Sequence, residues 1–234
     1  MTQYLYAFPA KAKFGRMVAK SKIYAHITIS AKLKELFVRE VEKITWAYKL
    51  SPETINLPAT KEVREIQVFS LTLKGEDLSL EILKAIDRAI PFPILFELNG
   101  SKGTRYVACY KRPDTRKNGR KLLSNYFQSD WLKPQDDKST VQELPVALNM
   151  SGLYEQLLKN LSPLPVKEGE NLKSLVERTE QTQRLEREIN QLEDRVKKEK
   201  QFNRRVELNQ TLNSLKKEFA KLGDDLLVKK KDLQ

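Results

Sequence analysis

Apolar residues recur along this chain with two different periods. In "AKLKELFVREVEKI", residues 31–44, Leu33, Leu36, Phe37, Val41 and Ile44 fall on one helical face. The preceding "KIYAHITIS" reads as a short strand or a turn. The period then shortens: "ITWAYKL" (44–50) and "EIQVFSLTL" (65–73) are rich in β-branched and aromatic residues, are separated by Pro52 and Pro58, and read as strands. Helical spacing returns in "DLSLEILKAIDRAI" (77–90), with Leu80, Ile82, Leu83, Ile86 and Ile90 as the buried stripe and Pro91 just past its end. "PILFEL" and "TRYVACYK" follow as an antiparallel strand pair, because "NGSKG" between them is hairpin-turn chemistry. "SNYFQSDWL" adds a further strand, and "MSGLYEQLLKNL" is a short helix with Ser151 as its cap.

Two prolines in "SPLPVKEGE" mark residues 162–170 as a linker. The pattern before it predicts an α+β domain over residues 1–161, a small, mostly antiparallel sheet with packed helices. After it, over 171–234, the character changes. Leu185, Ile189, Leu192 and Val196 step by four, three and four, and Leu208, Leu212, Leu215, Phe219, Leu222 and Leu226 resume the alternation of a coiled coil. Continuing the first seam past Val196 would require apolar residues at Glu199 and Asn203, and the second seam starts out of phase. The stretch "KKEKQFNRRVELN" (197–209) therefore reads as the tip of an antiparallel helical hairpin, with Asn203 as the N-cap of its second helix. The absence of Gly and Pro there leaves one continuous helix as the alternative.

A formal charge of +12 over 234 residues adds an anionic partner to this picture, nucleic acid above all. One cysteine excludes an internal disulfide framework and a multi-cysteine zinc site, and suits a reducing compartment. No stretch approaches the roughly 20 apolar residues of a membrane span, and the N-terminus has no apolar core of a signal peptide, so the expected location is the cytoplasm, with no membrane partner.

Candidate chemistry is sparse. His26 is the only histidine, no serine sits in a nucleophile elbow, and no phosphate-cradling glycine loop occurs, so no catalytic residue, metal or cofactor is predicted. Cys109 lies within a predicted strand and reads as a buried, inert thiol. A metal-dependent nuclease needs only a few carboxylates and a lysine, and Glu65, Glu97 and Lys111 are the strand residues from which one would be built. The acidic-x-Lys pairing expected on a nuclease core strand is missing: Ile66 and Gln67 follow Glu65, and Leu98 and Asn99 follow Glu97. "KRPDTRKNGRK" is the stronger feature. It gathers Lys111, Arg112, Arg116, Lys117, Arg120 and Lys121 in a turn-rich stretch opposed only by Asp114, where phosphates could be gripped without sequence readout. Tyr126, Phe127 and Trp131 nearby are candidates for stacking on bases. At the hairpin tip, Phe202, Arg204 and Arg205 are free to dock on a partner.

Taken in order and spacing, "ITWAYKLSPETINL", "EIQVFSLTLK", "IDRAIPFPILFEL", "YVACYK", "SDWL", "LYEQLL" and "LEREINQLEDRVKKEKQFNRRVELNQTLNSLKKE" resemble the bacterial and archaeal family known as domain of unknown function 4391. The resemblance implies no reaction and no catalytic residues. It implies a setting, since members are often encoded beside helicases and DNA methyltransferases in restriction or phage-defence loci. The expected function is a non-enzymatic accessory or adaptor subunit of such a DNA-processing complex. In that role the basic loop contacts DNA, the hairpin contacts a helicase or DNA methyltransferase, and a homo-oligomer through the coiled coil remains open. The alternatives are the metal-dependent nuclease and a toxin–antitoxin or scaffold component without nucleic-acid contact.

Overall fold

The computed structural model describes residues 5–113, 121–133 and 141–222. The chain divides into two units, Met1–Ser162 and Pro163–Gln234. The first is α+β. Its six-stranded sheet takes β2 (Lys13–Met17), β3 (Val41–Leu50), β4 (Ile66–Leu73), β5 (Ile94–Gly100), β6 (Gly103–Pro113) and β7 (Lys121–Gln128) in sequential order. A separate parallel pair joins β1 (Leu5–Ala7) to β8 (Val141–Glu143).

All neighbours in the large sheet are antiparallel except β4 and β5. A parallel pair needs a crossover, and α4 (Leu80–Ala89) supplies it. Its apolar stripe, Ile82, Leu83 and Ile86, is buried against Phe69, Leu71, Phe96, Leu98 and Val107 of the sheet. Burial of such side chains stabilises by about 1.5–3 kcal/mol each. The short α1 (Lys20–Tyr24) and α2 (Ala31–Glu40) pack against α4 as well. Side chains alternate across a strand: Cys109 faces Asp87 of α4, whereas Tyr110 turns to Tyr154 of α5 (Met150–Leu161), ring centroids 6.3 Å apart. Helices therefore cover both faces, and α3 (Pro52–Ile55) is a single turn after β3.

Three local expectations change. The predicted helix through Ile44 stops at Glu40, and Val41 and Ile44 enter the core as strand residues. A regular strand would put residues three apart on opposite faces; the register shift between Val41 and Lys43 lets both enter the same core, so their helix-like spacing misleads. Asn149, not Ser151, caps α5: its side chain accepts from the Gly152 N–H at 2.9 Å. Ser151 lies in the first turn and shares a hydrogen bond with Thr60, 2.5 Å between hydroxyl oxygens. The strand β2 went unpredicted, because "KFGRM" is an exposed edge strand without alternation.

In the second unit α6 (Leu172–Lys198) and α7 (Phe202–Leu222) are joined through residues 199–201. Ile189, Leu192 and Val196 pack with Leu208, Leu212, Leu215 and Phe219 of the same chain. Lys216 pairs with Glu193 at 2.7 Å, and Arg178 donates to the Leu222 carbonyl at 3.4 Å, so the two helices fold back on one another. The second helix starts two residues earlier than expected. Arg205 N–H donates to the Gln201 carbonyl, which makes Gln201 the N-cap and places Asn203 inside the helix. Among the described residues no helix is long and apolar enough to cross a membrane.

Gly103 shows how tightly the β5–β6 turn is drawn. Its φ is +116°, and a Cβ there would collide with the Leu132 carbonyl oxygen, which accepts from Thr104 N–H at 2.8 Å. Gly103→Ala is expected to cost about 1–3 kcal/mol by thermal melting. Gly75→Ala, at an open position without positive φ, is the unaffected control.

Arg178 grips Glu170 at 2.7 Å, and this hydrogen bond holds the Glu170 carboxyl below the usual carboxylate range. A depressed folded pKa gives stability that is present above the unfolded value and lost as pH falls through the folded one. Glu170→Gln should therefore be less stable than wild type at neutral pH in urea titrations. The difference should shrink as pH drops below about 4.3.

Candidate functional site

Sequence periodicity places Asp87 four residues after Leu83, on the face that α4 turns to the sheet. A lone carboxylate there would be prohibitively dehydrated. Lys111 on β6 answers it. Its Nζ lies 2.7 Å from Asp87 Oδ1, and both side chains are 1% exposed. The ammonium also donates to the carbonyls of Asp87 (3.1 Å), Ile90 (2.9 Å) and Phe92 (2.7 Å). These oxygens lie at and beyond the C-terminal end of α4, where carbonyls lack helical partners and the helix dipole is negative.

The second carboxylate oxygen is held as well. Tyr126 donates to Asp87 Oδ2 at 2.5 Å, and the Cys109 thiol points at the same atom from 3.5 Å. Burial pushes the Asp87 carboxyl up, against the pull of Lys111 and of these two donors. Burial and the Asp87 charge drive the Cys109 thiol and the Tyr126 phenol well above their ordinary ranges, so both stay protonated. From the opposite face Tyr154 donates to the Cys109 carbonyl at 2.5 Å and accepts from Lys111 N–H at 3.0 Å. Cys109 is thus the buried thiol expected of it, and the cluster is shut away from solvent; Asp87 Oδ1 has the Lys111 ammonium as its ion-pair partner but accepts no hydrogen bond. Its chemistry is mechanical: it ties α4, β6, β7 and α5 together.

Lys111 was expected at the phosphate-binding loop, and its burial removes it from that role. For Arg112 and Lys121 only the backbone is described, within β6 and β7. Arg116, Lys117 and Arg120 lie outside the described residues. Trp131 carries Arg105, whose guanidinium stands 4.4 Å over its ring, while Phe127 is buried. Neither Tyr126 nor Phe127 is therefore presented to a base.

Glu65, Glu97 and Lys111 do not converge. Glu97 pairs with Ser70 and with Tyr106, on the sheet face opposite the one where Lys111 meets Asp87. Glu65 precedes Ser70 by five residues, about 16 Å along the strand at 3.3 Å per residue. Each carboxylate has local partners: Glu65 has Lys49 at 3.1 Å and the Gln67 amide at 2.8 Å, and Glu97 has the Asn99 amide at 3.1 Å. Among the described residues no group of three or more His, Cys, Asp or Glu is placed to hold a metal ion. His26 is exposed, outside any such cluster.

At the far end of the chain, Phe202 is 79% exposed at the start of α7. Arg204 lies 3.6 Å from Glu199 across the connection, and Arg205 is exposed. The three residues expected to dock a partner are thus gathered on the first turn of one helix. Asp87 is the residue that sequence reasoning passed over. The available signal was an acid on the apolar face of a strongly amphipathic helix, which requires a buried cation.

Removing one partner of a buried ion pair costs about 3–5 kcal/mol, because the other charge is left uncompensated. Lys111→Met and Asp87→Leu should each show a loss of that size in urea unfolding. The double variant should be more stable than either single one, yet short of wild type, since the carbonyls of Ile90 and Phe92 lose their donor.

Comparison with curated proteins and with solved structures finds no match. A family model described as "Domain of unknown function (DUF4391)" matches residues 7–219, from the first strand nearly to the end of α7. On that coverage, the chain belongs to the DUF4391 family.

Proposed function

We propose that the protein is a non-enzymatic accessory subunit of a DNA-processing complex of the restriction or phage-defence type. Its second unit is a coiled-coil hairpin whose tip recruits the partner, and the loop of Arg112, Arg116, Lys117, Arg120 and Lys121 contacts DNA phosphates. The observation that carries the adaptor role is Phe202. A large aromatic side chain 79% exposed beside two arginines is the composition of a protein-docking hot spot. The apolar seam between α6 and α7 closes within one chain, so the tip is not needed to hold the hairpin together. A homo-oligomer is therefore unnecessary, and the tip is available to a different protein. A helicase or DNA methyltransferase is the partner that the family setting suggests. The scattered positions of Glu65, Glu97 and Lys111 weigh against the nuclease alternative.

Affinity capture of the native complex, followed by mass spectrometry, tests the adaptor role. The wild-type chain should recover a helicase or methyltransferase subunit. Phe202→Ala with Arg204→Glu and Arg205→Glu should lose it while melting at the wild-type temperature. Recruitment retained by this variant would end the docking role. Magnesium-dependent DNA cleavage by the purified chain, abolished by Glu65→Ala or Glu97→Ala, would overturn the non-enzymatic one.

A further inference from the structure

The first 34 residues hold seven lysines and arginines and no Asp or Glu; the first carboxylate of the chain is Glu35. Lys20 has a structural task. Its ammonium donates to the carbonyls of Phe37 (2.8 Å) and Val41 (2.6 Å) at the end of α2. The other six, Lys11, Lys13, Arg16, Lys22, Lys32 and Lys34, are exposed, and none is ion-paired with a described residue. They stand on β2, on the turn before it, and on α1 and α2, which pack against α4 beside this edge of the sheet.

The edge strand is also shaped. The β2–β3 register shifts between Lys13 and Arg16, around Gly15 at φ +66°. This bulge brings the Arg16 guanidinium 4.7 Å over the Phe14 ring. Phe14 in turn lies 4.1 Å from Trp46, which stacks on the buried Phe69 at 6.0 Å and 10°. An aromatic ladder anchored in the core therefore ends at the surface in an exposed, planar cation. Guanidinium planes stack on unpaired bases, and flanking lysines follow the phosphates.

We propose that this N-terminal edge binds single-stranded nucleic acid: Lys11, Lys13, Lys22, Lys32 and Lys34 contact the sugar–phosphate backbone, and Arg16 supports a base. An acidic protein strand adding to β2 is the competing occupant. The bulge disfavours it, because it interrupts the regular row of edge hydrogen-bonding groups such a strand would need. The proposal rests on the nucleic-acid part of the accessory role, but it assigns the binding to residues other than Arg112, Arg116, Lys117, Arg120 and Lys121.

The test uses the full chain and a fluorescent oligo-dT 20-mer, with a mixed-sequence duplex alongside, titrated at several salt concentrations. Lys11→Gln, Lys13→Gln, Arg16→Gln and Lys22→Gln combined should weaken oligo-dT binding by tenfold or more at low salt. The slope of log K against log salt should become shallower by about 0.7 for each phosphate that the variant no longer neutralises. The melting temperature should hold, since Lys20 is untouched. The companion variant Arg116→Ala, Lys117→Ala, Arg120→Ala and Lys121→Ala separates the two surfaces. If only the companion loses binding, the edge assignment is wrong and the loop stands; if only the edge variant loses it, the edge is the site and the loop falls. A wild-type chain that ignores both oligonucleotides defeats both. Binding of polyglutamate in place of oligo-dT, or a loss confined to the duplex, overturns the single-strand assignment.

Discussion

An ammonium and a carboxylate removed from water cost several kcal/mol each unless geometry and further hydrogen bonds compensate. In this protein that compensation is concentrated on Lys111 and Asp87, and it constrains everything around them. The carboxylate comes from the crossover helix and the ammonium from the strand beyond it. The three carbonyls bound by the ammonium belong to the end of that helix and the chain leaving it. A shift of α4 by a single turn, about 5.4 Å, would strand both charges. The pair therefore fixes the axial position of the one helix that makes the sheet partly parallel. It also sets the direction in which the chain enters β5. Apolar packing alone would tolerate more sliding, because Ile, Leu and Phe contacts are not directional.

The same cluster gathers the most unusual chemistry among the described residues. A thiol, a phenol, a carboxylate and an amine within hydrogen-bond reach are the ingredients of an active site. Here each is protonated or paired, and all are shut away from solvent. The exposed features are of another kind: a cation-rich edge, and an aromatic side chain at the tip of a helix pair.

Much of the architecture was legible because it follows from periodicity. The stripe Ile82, Leu83, Ile86 and the seam Ile189, Leu192, Leu208, Leu212 each name their partner surface by spacing alone. The phase break after Val196 likewise announced the connection at 199–201. Illegible were features whose meaning depends on a residue distant in sequence. Asp87 is one acid among thirty-one Asp and Glu until Lys111, twenty-four positions on, is known to face it. The strand at Lys13–Met17 has no buried face to impose alternation, and its pairing with β3 comes from backbone hydrogen bonds that carry no sequence pattern. The basic loop was overvalued at Lys111 for a related reason. A lysine at the end of a strand looks exposed by composition, and only the packing of α4 over β6 reveals its burial.

Charge distribution joins these observations to function. The cations that stabilise the fold, Lys20 and Lys111, both bind carbonyls at the C-terminal ends of helices, where the dipole favours them. Those that do no such work lie on the outside, and in the first 34 residues no carboxylate tempers them. A net charge of +12 destabilises a compact chain through self-repulsion. The repulsion is relieved when a polyanion with evenly spaced charges lies along the surface and releases its counterions. Under the proposed single-strand binding, the cations on this exposed, aromatic-backed sheet edge are half of an interface rather than a solubilising coat. For solubility, a mixed-sign surface would have served at lower cost to the fold.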